Sequence, residues 1–107
     1  MKKMIYPLLI TFLLGMPSGC AGLLPEPRVE DLVRSNPTYP GLQLSDLRQG
    51  RALYMKYCAG CHALHAPSER DSLQWERSMS KMQLKAKIDD GTKDSIMKYL
   101  QTFAKNP

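Results

Sequence analysis

Beyond position 45, apolar residues recur at three- and four-residue steps, the spacing that lines one face of a helix. Leu47, Gly50, Leu53, Tyr54 and Tyr57 form the first stripe. It predicts a helix that starts after Ser45, as N-cap, and runs to about Tyr57. Trp75, Met79 and Met82 stand at i, i+4 and i+7 and predict a second helix beginning near Ser72. Ile96, Leu100 and Phe103, flanked by Met97 and Tyr99, mark a third. It starts after Asp89 or Asp90, whose negative charge suits the positive end of a helix, and frays near Lys105. No run alternates with period two over a useful length, and no repeat or low-complexity segment is visible. The fold class expected is all-α. Gly50 is out of place in a helix, where it costs about 1 kcal/mol relative to Ala. Such a residue is useful where a second helix must come close.

The first 44 residues have a different pattern. Lys2 and Lys3 precede an apolar run, Met4 to Leu14, which Pro7 interrupts. The run is shorter than the roughly 20 residues needed to span a bilayer. With Ser18 and Gly19 following, it reads as an export signal over residues 1–19; the alternative is an anchor that stays attached. From Ala21 to Leu44, Pro25, Pro27, Pro37 and Pro40 interrupt any helix. Residues 20–44 therefore read as a proline-rich, semi-extended tether, and residues 45–107 as the folded domain. The alternative for the end of the tether is that Tyr39, Leu42 and Leu44 wrap the domain.

Composition changes the picture in two places. The formal net charge of +5 among 107 residues is small, and no basic cluster carries interleaved aromatics, so nucleic acid is not an expected partner. The apparent folded unit, Ser45 to about Phe103, is also too small to bury a comfortable core unaided. Something besides protein must supplement it.

The cysteines supply a candidate. There are three, an odd number for a disulfide scheme in an exported chain. Cys58-Ala59-Gly60-Cys61-His62 is a C-x-x-C-H motif. Two thiols at this spacing can each add to one vinyl group of the same haem, and His62 is then placed as an axial iron ligand. A zinc site would want about four ligands, with only His65 and the remote Cys20 left to provide them. A dithiol redox pair would want a βαβ setting, which the pattern lacks. The expected cofactor is thus one covalent haem c.

A sixth ligand must reach the opposite haem face. His65 is too close to His62 to cross over and reads as an exposed loop residue. Met55 and Met97 read as packing residues. Met79 and Met82 remain, and Met82 is favoured because it lies near the end of its helix, where the chain loosens toward Lys85 and Lys87. Trp75 has an indole N–H that wants a partner if buried, and a haem propionate is the natural one; the alternative is a plain core tryptophan. Arg70 is a further candidate for a propionate. A backbone carbonyl near Pro67 is a candidate acceptor for the other N–H of His62.

Gly50-Arg51-Ala52-Leu53-Tyr54 followed by the C-x-x-C-H motif resembles the opening of class I cytochrome c domains. Trp75, Met82, Ile88-Asp89-Asp90 and Ile96-Met97-Lys98-Tyr99-Leu100 are similar to the short haem domains of dihaem cytochrome c type proteins. The resemblance implies a small cytochrome c fold of about three helices around the haem, with Met82 as distal ligand. It also implies that the last helix crosses the first, with Gly50 and Tyr54 against Tyr99 and Leu100. One C-x-x-C-H motif means one haem, unlike the dihaem pattern.

Pro17-Ser18-Gly19-Cys20 resembles a bacterial lipoprotein box, with Pro17 where leucine is usual. It implies a lipidated Cys20 and a periplasmic, membrane-anchored protein; ordinary cleavage nearby is the alternative. The function expected is electron transfer between redox partner proteins by a non-enzyme with His62 and Met82 as iron ligands. The alternatives are a haem gas sensor or haem enzyme with an open sixth position, and a cytochrome subunit of a larger redox complex.

Overall fold

The computed structural model describes residues 24–58 and 64–106. Four helices are described: α1 (Asp31–Ser35), α2 (Leu44–Cys58), α3 (Ser72–Ala86) and α4 (Asp90–Phe103), with a 3-10 turn at Pro67–Glu69. No strand occurs among the described residues, only an isolated bridge between Asp71 and Lys105. The three predicted helices are present, and α1 is an addition to them.

Local chemistry sets each boundary. α2 begins at Leu44, one residue before Ser45, so Ser45 is not its cap. Asp46, in the first turn, instead accepts from the backbone N–H of Gln43 just before the helix, at 2.8 Å. Asp71 caps α3 through a reciprocal box with Gln74, with side chain to backbone bonds of 2.8 and 2.9 Å. Asp89 caps α4 by accepting from Thr92 N–H at 2.7 Å, and bonds from Thr92 hold its carboxyl below the usual carboxylate range.

α3 ends where Lys87 adopts φ 55°, a left-handed geometry uncommon for a residue with a Cβ. The N–H groups of Lys87 and Ile88 then both bond the Gln83 carbonyl, and Ile88 tucks into the core. The helix is therefore regular through Met82, and no loosening occurs there. The Gln83 side chain ties this corner to the start of α4 by donating to Asp90 at 2.7 Å.

The core lies where α2 crosses α4. Leu47 and Tyr54 of α2 and Ile96, Tyr99 and Leu100 of α4 are all buried there. Gly50 is the point of closest approach. A Cβ built on it would stand 2.3 Å from the Ser95 carbonyl oxygen and 2.8 Å from Tyr99 Cβ. The contact implied by the family resemblance is present. A ladder of rings runs through the crossing: Trp75 lies edge-on to Tyr54 at 6.0 Å, Tyr54 is 6.5 Å from Tyr99, and Tyr99 is 5.2 Å from Phe103.

The stretch expected to be a semi-extended tether is docked on this crossing from Leu24 onward. Leu24 is 2% exposed within the core cluster, and Pro27 is buried too. Arg51 donates to the Leu24 carbonyl through two nitrogens at 3.3 Å and pairs with Glu26 at 3.3 Å. The Tyr99 hydroxyl donates to the Pro25 carbonyl at 2.8 Å, and Tyr39 bonds Gln101. The prolines did prevent a long helix, but extended backbone leaves its carbonyls available, and Arg51 and Tyr99 supply the donors. Burial holds the Tyr99 phenol protonated well above its ordinary range, with the neighbouring Arg51 opposing part of the effect.

Gly50→Ala tests the crossing. The added methyl meets a backbone carbonyl that cannot rotate away, so overpacking outweighs the gain in helix propensity. A net loss of about 2–3 kcal/mol is expected in urea unfolding. Unchanged stability would show that the helices can separate at no cost.

Candidate functional site

The last two turns of α2 present Tyr54 and Cys58 on one side of a cleft of about 770 Å³, its open mouth included. α3 contributes Trp75, Ser78, Met79 and Met82 to the lining, residues that share one helix face by their spacing. Leu64, His65 and Arg70 close a third side, and Lys81 and Lys85 complete the lining. No carboxylate lines the cleft among the described residues.

Of the residues expected to form the site, Cys58, Trp75 and Met82 come together here, and Met79 joins them. Cys58 is 5% exposed. Cys61, His62 and Cys20 lie outside the described residues, and the expectations resting on them stand as expectations. Met79 and Met82 differ in burial. Met79 is 1% exposed and part of the core, whereas Met82 is only partly buried against it. His65 is exposed as expected, its ring nitrogen 2.8 Å from Glu69.

Trp75 requires a correction. Its indole N–H donates to the Pro67 carbonyl at 2.8 Å, so its partner is protein backbone and not a propionate. The ring itself, 2% exposed, still forms part of the cleft wall. The 3-10 turn that starts at Pro67 supplies that carbonyl from eight residues before Trp75. Arg70 does reach the cleft, with its guanidinium stacked 5.0 Å over the Trp75 ring.

Tyr54 is the residue that sequence reasoning undervalued. Its periodicity marked it as a core-facing ring, yet its hydroxyl donates to the His65 carbonyl at 2.7 Å. It thus ties α2 to the chain that returns after the C-x-x-C-H motif. A tyrosine one turn before the motif was the available signal, but only the return path of the chain brings the carbonyl to it. Burial, with a lesser effect of the neighbouring Cys58, pushes its phenol up to about 12.

The lining suits a large flat apolar group with acidic substituents. Leu64, Trp75, Met79 and Met82 offer apolar contact, Cys58 a thiol, and Arg70, Lys81 and Lys85 positive charge at the margin. The haem expected from the motif has this character, so the residues present fit it.

The Tyr54 phenol generates a pH dependence. Its proton is held more tightly when folded than when unfolded, where the ordinary value is 10.0. The resulting stability is complete below pH 10 and is lost as pH rises through about 12. Tyr54→Phe is expected to flatten part of that alkaline decline in urea titrations, with Tyr99 and Tyr39, also raised by burial, contributing to the remainder. Below pH 10 the variant is less stable by about 1 kcal/mol, because the His65 carbonyl loses its donor. An alkaline slope identical to wild type would show that Tyr54 ionises normally.

A family model described as cytochrome c oxidase, cbb3-type, subunit III matches residues 45–104, more than half of the chain. The match begins in the first turn of α2 and ends just after α4, so it contains the crossing and the whole cleft. Neither the curated proteins nor the solved structures gave a match to the chain.

Proposed function

The chain belongs to the cytochrome c family so described, and from that premise we propose that it is a one-electron carrier with a single covalent haem c in this cleft. The observation that carries the reading is the lining: Cys58, Met79 and Met82 share one cleft, within the span the family model covers. When bound, haem supplies an iron centre that gains and loses one electron.

The chain's own residues do the rest. When haem is bound, Cys58 and Cys61 would hold it through thioether bonds, and His62 would supply one iron ligand. Met82 would supply the second ligand, a soft thioether that favours the reduced metal and raises the potential. Its partial burial suits this role better than the enclosed position of Met79. Trp75, Leu64 and Met79 exclude water from the site. Arg70, Lys81 and Lys85 lie where they can offset the propionate charge. Holding both ligands in either oxidation state keeps reorganisation small, which is what a carrier requires. Export under the leader and lipidation at Cys20 place the protein in the periplasm at a membrane surface, where its donors and acceptors are redox proteins.

The test is a visible spectrum of protein exported from a host with cytochrome c maturation machinery. Sharp bands on reduction, a weak far-red iron–methionine band on oxidation, and no response to carbon monoxide are expected. A broad high-spin spectrum that shifts with carbon monoxide would replace the carrier with a sensor or a haem enzyme.

Met82→Ala tests the ligand separately. It should open the distal position, so that carbon monoxide binds the reduced protein rapidly, while Met79→Ala loosens the core and leaves the far-red band in place. The opposite pattern would transfer the ligand role to Met79.

A further inference from the structure

The strap does more than complete the core, because it fixes where an anchor can be. Leu24 is held by burial and by Arg51, and Pro25 is held by the Tyr99 hydroxyl. Only four residue steps separate Leu24 from Cys20. Fully extended, they reach about 14 Å. A lipid chain on Cys20 would therefore hold the domain on a short leash, with no 25-residue tether available to it. The leash is attached beside α2 at Arg51, seven residues before Cys58, or about 10 Å along the helix axis. The cleft begins nearer still, at Tyr54.

A second observation marks the same end of the strap. Val29 and Val33, one helical turn apart, are 65% and 77% exposed, and the former lies five residues after Leu24. A bare apolar pair so close to the attachment point has a natural partner in the lipid surface that the leash would bring within reach.

We propose that the docked strap holds the domain flush against a lipid surface through Val29 and Val33, with the haem cleft within roughly 25 Å of that surface. This rests on the reading that Cys20 is acylated. Its consequence is functional: exchange is restricted to partners presented at the same membrane, and the domain does not sweep a volume above it.

The full-length holoprotein, purified from host membranes, would be reconstituted into phosphatidylethanolamine–phosphatidylglycerol vesicles carrying a headgroup fluorophore. Haem quenches such a fluorophore by energy transfer, steeply with distance. Inserting 20 Gly-Ser residues after Gly22 adds about 25 Å of reach. Normalised to haem absorbance, quenching should fall by more than half in the insertion variant. It should also fall measurably in the Val29→Ser, Val33→Ser double variant, and not in Leu84→Ser, which removes an equally exposed leucine on α3. Unchanged quenching in either the insertion or the double-valine variant overturns the proposal. Mass spectrometry of the same samples separates the premise from the inference. An acylated Cys20 with unchanged quenching defeats only the flush orientation, whereas a bare Cys20 defeats the anchor and the orientation together.

Discussion

The closeness of α2 and α4 at Gly50 is the constraint on which the rest of this domain depends. With hydrogen in place of a methyl group, the Ser95 carbonyl and Tyr99 Cβ come within distances that no other residue would allow. That contact sets where Tyr54 and Tyr99 lie, and each then performs a second task at its hydroxyl. Tyr54 ties the chain returning from the C-x-x-C-H motif, and Tyr99 ties the strap. Separating the two helices would loosen both the cleft wall and the amino-terminal attachment. The loss of helix propensity at one glycine, about 1 kcal/mol, is offset by the packing it permits.

A domain of this size needs help from outside its own core, and two sources are visible. One is the strap, which brings Leu24 and Pro27 into burial and satisfies an arginine and a tyrosine hydroxyl at the crossing. The other is the haem proposed for the cleft, which as a covalent apolar group would both fill space and cross-link the chain. Tyr54 lines the cleft and Tyr99 bonds the strap. The aromatic ladder from Trp75 to Phe103 is accordingly the mechanical link between the cleft and the strap.

α3 shows how one helix serves core and site at once. Trp75 and Met79 face inward and are buried, while Met82, a turn further on, emerges at the cleft with partial exposure. The sharp stop at Lys87, in left-handed geometry, keeps Met82 in regular helix and fixes its direction. Stiffness of this kind suits the ligand role proposed for Met82.

The sequence by itself determined the helical class, the three main helices to within a residue or two, and the motif that calls for haem. These are legible because amphipathic spacing, acidic caps such as Asp71 and Asp89, and a C-x-x-C-H run are local features. The need for a close approach at Gly50 was legible for the same reason, as a helix breaker on an apolar stripe. Only the tertiary structure decided what each polar group bonds. Trp75 donates to Pro67 and Tyr54 to His65, and Arg51 and Tyr99 capture a strap that composition alone marks as loose. Those bonds join residues up to 74 positions apart. A hydrogen bond needs its partner at about 3 Å in a set direction, and that geometry exists only once the chain has packed.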